Sequence, residues 1–411
     1  MNTYWLYLEP YTMVFSEKEK SLIYNTLSSE YLQIPNSGKA YSILQRILSS
    51  PDIYLLKIEE DELFEKEVIA FVKNLQSKFL GEYIACHMTT RKPVILYPKL
   101  KLLRSVKNME TMGKDILAYL QKIVIQITGK CTCQCSVCSY AYKQITVCNR
   151  LCDKELDLDI LLQLITIIRN TSAKSIDIIG GNPFFYSSFE KMLEVIKLTP
   201  MLQFNIKCFS EHIITLTDCK VLSLLKNIPN IHLQIQYVGN VFIDYLQELQ
   251  MRLENCGVRY GIEFLISSEE QYSQAIDICK ALSFSQYEMI VLLNEKNMDF
   301  AKQMYWDEED ILSLNSSKKD IYRRQSINTF DFGKIIVLAN GDVYSNMNFD
   351  SLGNIYKEDI SAILLKELEE GKSWFRVRNN IPCNDCVYQW FCPSPSNYEI
   401  VAGRLNFCSI K

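Results

Sequence analysis

Fifteen cysteines are unevenly spread: six lie between Cys131 and Cys152, and four between Cys383 and Cys408. The first group sits in Gln126-Ile-Thr-Gly-Lys-Cys131-Thr-Cys133-Gln-Cys135-Ser-Val-Cys138-Ser-Tyr140. Cys131, Cys135 and Cys138 have the spacing with which one compact loop gives three thiolates to a [4Fe–4S] cube and leaves the fourth iron without a protein ligand. An open metal position can take a substrate or cofactor. The alternatives are a structural zinc site that adds Cys133, or reactive thiols without metal. Zinc sites usually use two separated pairs, which this crowded run lacks. The second group, Cys383-Asn-Asp-Cys386-Val-Tyr-Gln-Trp-Phe-Cys392 with Cys408, offers four thiolates. Four are enough to close a tetrahedral zinc or a fully ligated iron–sulfur cluster. The isolated Cys86, Cys208, Cys219, Cys256 and Cys279 read as apolar packing residues. Cys148 and Cys152 could be a redox pair, a substrate relay or loop packing, with packing favoured.

These loops need a scaffold, and the pattern from Lys122 onward supplies one. Strand-like runs at Ile123–Thr128, Ser175–Ile179, Gln203–Cys208, Ile231–Tyr237, Val258–Ile266 and Tyr287–Leu293 alternate with helical stretches. The helices fall near 157–170, 188–198, 217–227, 241–255 and 270–282, with another near 308–316. Six such units predict an α/β fold with a parallel sheet, doubly wound or a partial barrel. Ligands in such folds sit at the carboxyl ends of the strands. The cysteine loop follows the first strand, and Gly180-Gly181-Asn182-Pro183 follows the second. Two glycines allow a close backbone approach, and Pro183 fixes the exit.

Residues 1–85 read as an α+β module, with strands at Thr12–Phe15, Ser21–Thr26, Glu30–Pro35 and Ile53–Ile58. Its helices start near Ser37 and around Phe64, the second carrying the apolar stripe Phe64, Val68, Phe71, Val72, Leu75 and Phe79. The pattern predicts a winged-helix shape. Residues 86–120 form a connector, with Lys99–Arg104 a charged strand, and 121–324 hold the strand–helix array. Residues 325–411 are rich in turns and predict a small metal-stapled domain. A net charge of −4 over 411 residues, without a long basic block, gives no argument for a nucleic-acid partner. Met1–Pro10 lacks the features of a signal peptide, and Leu158–Ile168 is too short to cross a bilayer. A cytoplasmic chain without a membrane partner is the expectation.

A three-cysteine loop after strand one, with Gly-Gly-Asn-Pro after strand two, resembles the radical S-adenosylmethionine (SAM) superfamily over residues 120–320. The resemblance implies a partial (β/α)6 barrel. Its cube on Cys131, Cys135 and Cys138 would bind SAM through the open iron, and Gly180, Gly181, Asn182 and Pro183 would hold the methionine amino group. Asn182 stands in the usual glutamate place. Val137 stands where the family prefers an aromatic residue against the adenine, with Tyr140 a possible substitute. The implied chemistry is reductive SAM cleavage to a 5′-deoxyadenosyl radical. Electrons would come from a reductant such as ferredoxin or flavodoxin.

The C-terminal segment resembles the SPASM extension of radical SAM peptide maturases, which normally holds two auxiliary clusters. Asn346 and Ser396 fall where two ligands of one of them belong. The resemblance therefore implies one auxiliary [4Fe–4S] cluster, on Cys383, Cys386, Cys392 and Cys408. Residues 1–85 are similar to the winged-helix peptide-recognition element of such maturases, which binds the leader of a precursor peptide as an added strand. The reading is a maturase of a ribosomally made peptide. Its rival is a degenerate pseudoenzyme that binds a precursor peptide or partner without SAM cleavage. The three histidines, His87, His212 and His232, receive no role.

Overall fold

The computed structural model describes residues 2–52, 54–89, 91–93, 112–217, 220–240, 242–404 and 406–408. Cys219 and the Lys99–Arg104 tract lie outside the described residues. The module at the start of the chain contains β1 (Thr3–Leu8), β2 (Thr12–Glu17), β3 (Lys20–Asn25), β4 (Tyr31–Pro35), β5 (Leu55–Glu59) and β6 (Gly81–Ala85). Two antiparallel sheets result, ordered β5–β1–β6 and β2–β3–β4. Helices Gly38–Ser49 and Lys66–Ser77 pack with them.

In β3 every residue from Ser21 to Asn25 is buried, because both faces of its sheet are covered. Ile23 points to the module's own helices, whereas Leu22 and Tyr24 pack on Val387, Tyr388, Trp390 and Phe391. Phe391 makes edge-on ring contacts with Phe15 at 5.0 Å and Tyr24 at 4.7 Å. The module is therefore docked on the C-terminal cysteine segment.

The central sheet comprises β7 (Lys122–Gln126), β8 (Ser175–Ile179), β9 (Gln203–Phe209), β10 (Ile231–Val238), β11 (Tyr260–Ile266), β12 (Tyr287–Val291), β13 (Lys334–Val337), β14 (Asp342–Tyr344) and β15 (Gly353–Asn354). Its order is β12–β11–β10–β9–β8–β7–β13–β14–β15. Strands β7 to β12 are parallel and neighbour one another in chain order. A doubly wound sheet reverses its order at a switch point, and β7 to β12 show no reversal. The result is a mixed α/β fold around a large, mostly parallel sheet.

Residue alternation gives the sheet two different faces. Ile123, Ile125, Ile176, Ile178, Phe204, Ile206, Leu233, Ile235, Ile262 and Phe264 face the helices and form the main core with Leu164, Met192, Leu249 and others. The opposite face carries buried polar groups. Lys207 Nζ donates to Glu263 Oε1 at 2.8 Å, and Gln236 Nε2 donates to Glu263 Oε2 at 2.8 Å. Asn205 Nδ2 donates to Asp177 Oδ1 at 2.8 Å. A buried charge survives only when paired, and Lys207–Glu263 meets that condition.

The segment 325–411 differs from the small stapled domain expected. β13 pairs in parallel with β7, and Val337, Val343, Ile363, Leu364 and Trp374 join the main core. These apolar residues bury the first half of the segment against the central sheet. No helix among the described residues is long and apolar enough to cross a membrane.

Candidate metal centres

The first cysteine loop leaves the carboxyl end of β7 and is strapped to the turn after β8. The Gly181 N–H donates to the Thr128 carbonyl at 2.6 Å, and the Asn182 N–H to that of Lys130 at 2.7 Å. A Cβ on Gly181 would lie 2.5 Å from the Gly129 carbonyl oxygen, and one on Gly129 would lie 1.4 Å from that of Cys152. Only glycine permits this approach. Asn182 Oδ1 accepts the Phe184 N–H at 3.1 Å, capping the short turn Pro183–Phe185. Gly180, Gly181, Asn182 and Pro183 are all buried beneath the loop.

Cys131, Cys135 and Cys138 line one cavity of about 930 Å³, with Arg150, Tyr142 and Phe185 also on its wall. Cys133 is not on that wall, and neither are the four residues of the glycine turn. Val137 is turned into an apolar cluster with Cys148 and Phe209, and Tyr140 packs beside that cluster. The aromatic rings facing the cavity are thus Tyr142 and Phe185, which the spacing did not single out. Burial raises the Cys131 and Cys138 thiols above their ordinary pKa. At Cys135, burial first and the Glu211 charge next push it up to about 12.

His212 reaches this site from the helix Ser210–Ile214, just past the carboxyl end of β9. Its Nε2 lies 3.4 Å from Cys131 Sγ, and Cys131, Cys133 and His212 form a tight potential ligand group. Nδ1 accepts the Phe209 N–H at 3.3 Å. A histidine that binds metal through one nitrogen normally donates an N–H from the other. Here the other nitrogen is an acceptor, so Nε2 holds the proton and is a donor toward Cys131. Burial pulls the His212 pKa down to about 4, so the ring is neutral. This hydrogen-bonding pattern disfavours a zinc site on Cys131, Cys133 and His212. Three thiols on one wall, with space beside them and Cys133 off that wall, suit a cube with one open iron. His212 is the chief residue missed in the sequence. Its place at the end of a parallel strand was the available signal.

The second group also converges. Cys383, Cys386, Cys392 and Cys408 line a single cavity of about 350 Å³. Arg378 lies 3.7 Å from Cys383 Sγ and pairs with buried Glu399 at 2.8 Å. Asn406 Nδ2 donates to Cys408 Sγ at 3.3 Å. Four thiols with donors against the sulfurs suit a fully ligated cluster. Glu17, Lys18, Glu19 and Lys20, from the β2–β3 turn, line the same cavity, and Lys18 pairs with Asp385 at 2.5 Å.

Asn346 is buried, and its Nδ2 donates to Asp331 Oδ2 at 2.9 Å and to Asn397 Oδ1 at 2.7 Å. Arg376 reaches the same Asp331 oxygen at 3.2 Å and the Ser396 carbonyl at 3.2 Å. A polar network thus occupies the region of Asn346 and Ser396. Of the isolated cysteines, Cys208, Cys256 and Cys279 are buried in the main core, while Cys86 is half-buried. Cys148 is buried in loop packing, and Cys152 Sγ lies 3.4 Å from Gln126 Oε1; the two form no disulfide.

No family model matches the chain, and no curated protein matches it. Among solved structures it is similar to "Native anSMEcpe with bound AdoMet", at 13% identity and a TM-score of 0.45, over 66% of this chain and 88% of that one.

Proposed function

We propose that the chain is a radical SAM enzyme that modifies a ribosomally made precursor peptide. The observation that carries this reading is the convergence of Cys131, Cys135 and Cys138 on one cavity at the carboxyl end of a parallel sheet. In this reading they hold the SAM-binding [4Fe–4S] cluster, while Cys383, Cys386, Cys392 and Cys408 hold one auxiliary [4Fe–4S] cluster. When bound and supplied with one electron by a donor protein, the first cluster would cleave SAM to methionine and a 5′-deoxyadenosyl radical, the chemistry this site would bring to hydrogen abstraction from the peptide. Tyr142 and Phe185 offer flat apolar surfaces for an adenine beside the loop. The turn Gly180-Gly181-Asn182-Pro183 holds the loop in shape from below, its Gly181 and Asn182 N–H groups given to the loop; the family resemblance, rather than its position, assigns it to the methionine end of SAM. The four-thiolate site leaves no open iron, which suits an electron-transfer or structural role.

The peptide is assigned to the module at the start of the chain. Both faces of β2–β3–β4 are covered, and among the described residues β2 and β4 pair only with β3. An added strand therefore has the outer edges of β2 and β4 to pair with. A ferredoxin or flavodoxin is the class of electron donor the chemistry calls for.

One observation favours the rival reading of a peptide-binding protein without SAM cleavage: the glycine turn lies behind the cysteine loop and off the cavity wall. Anaerobic incubation of the reconstituted, reduced protein with SAM separates the two. Formation of 5′-deoxyadenosine is the expected result, and its absence from protein with a full iron complement favours the rival.

A further inference from the structure

We propose, resting on the cluster assignment above, that His212 is a positioning residue whose Nε2–H hydrogen bond to Cys131 Sγ raises the reduction potential of the cluster held there. The partners at the two ring nitrogens fix the direction of this bond. A backbone N–H can only donate, so Nδ1, 3.3 Å from the Phe209 nitrogen, must present its lone pair. The single proton of a neutral imidazole is then on Nε2, 3.4 Å from Cys131 Sγ.

The ring has little freedom to do otherwise. His212 is fully buried, and its ring contacts that of Phe209 edge-on at 6.1 Å. Turning it over would leave the buried Phe209 N–H without its acceptor. Cys131 Sγ accepts a second hydrogen bond from the Cys133 N–H at 3.4 Å. Its sulfur is therefore held by donors on two sides before any iron arrives.

Reduction adds negative charge to a cluster and its thiolates. A donor at a ligand sulfur stabilises the reduced form more than the oxidised one, so the potential rises. His212 thus eases reduction by a donor protein, and it orients Sγ without ligating metal.

Two substitutions separate the roles of the two nitrogens. In H212N the side-chain oxygen can replace Nδ1 as acceptor for Phe209, but nothing reaches Cys131. In H212Q the longer amide can restore a donor at Cys131. Full-length reconstituted proteins are titrated anaerobically, with the reduced cluster followed by electron paramagnetic resonance. In H212N the reduced-to-oxidised ratio at the wild-type midpoint should fall about tenfold, about 59 mV for a one-electron couple. H212Q should stay near wild type, and both should keep their iron. A wild-type midpoint in fully loaded H212N overturns the proposal.

A second measurement does not need the cluster or the variants. Nitrogen-15 spectra of the full-length, iron-free chain should show His212 as the neutral Nε2–H form. An Nδ1–H form overturns the proposal. Failure of the wild-type chain to take up iron would sink the cluster assignment, and the imidazole spectrum would still decide the orientation of His212.

Discussion

Asn346 Nδ2 donates to Asn397 Oδ1 at 2.7 Å, one residue from Ser396. The two positions where ligands of a further auxiliary cluster would fall are thus neighbours in space, joined through amides and the Asp331 carboxylate. Neither an amide nor a hydroxyl replaces thiolate at a cluster iron. Fully reconstituted protein should hold about eight irons, as two cubes. About twelve irons, or zinc at the second site, would contradict this. N346A should also destabilise the chain by about 1–3 kcal/mol, because Asp331 and Asn397 lose a buried partner. Denaturant midpoints measure that cost.

The turn Glu17–Lys20 lines the cavity of the four C-terminal cysteines, while Leu22 and Tyr24 bury against Phe391. Removing residues 1–85 should therefore uncover the second site. The truncated chain is expected to retain about four irons, at Cys131, Cys135 and Cys138, and to lose the others on exposure to chelator. Retention of about eight under the same treatment would show that the turn does not guard the site. Because of this docking, leader-peptide affinity is better tested with full-length variants of the β2 and β4 edges than with the truncation.

Glu308 ties the same sheet to the C-terminal segment. It accepts from Tyr388 Oη at 2.6 Å and Gln33 Nε2 at 2.9 Å, with Lys20 Nζ at 3.5 Å. Burial alone would raise its pKa, but the hydrogen bonds from Tyr388 and Gln33 and the Lys20 charge outweigh that and hold it below the ordinary value. Such a group stabilises the fold above its unfolded pKa, about 4.3, and the gain is lost as pH falls through the lower folded value. Partial exposure limits the gain to about 1 kcal/mol or less. Proteolysis within Glu17–Lys20 should accelerate on acidification through that window. E308Q should remove this pH dependence; an unchanged acid profile in E308Q would assign it to other groups.

Lys207 and Glu263 form a buried pair on the polar face of the sheet. E263A should cost about 3–5 kcal/mol, because it strands the Lys207 charge. Replacing both with apolar residues of similar size, K207M with E263L, should cost much less. Equal losses in the two variants would place the importance of the pair in packing rather than charge.

The parallel array was legible because short apolar strand-like runs alternate along the chain with helical stretches. Strands β1 and β6 were not, since β1, at the centre of its sheet, finds its partners at Leu55–Glu59 and Gly81–Ala85, far along the chain. Cysteine spacing identified both thiol groups because each is local in sequence, apart from Cys408. His212 stayed hidden because Cys131 is 81 residues away and a lone histidine carries no spacing. The docking of β3 on Phe391 was equally hidden, as an apolar pattern marks a buried face without naming what covers it.

The most direct test of the central claim is the variant C131A/C135A/C138A, compared with wild type for iron content and 5′-deoxyadenosine under anaerobic reduction. The wild type should carry about eight irons and cleave SAM, while the variant should keep about four, at the C-terminal cysteines, and form no 5′-deoxyadenosine. Undiminished 5′-deoxyadenosine from the triple variant would contradict the assignment of the catalytic cluster to these three cysteines.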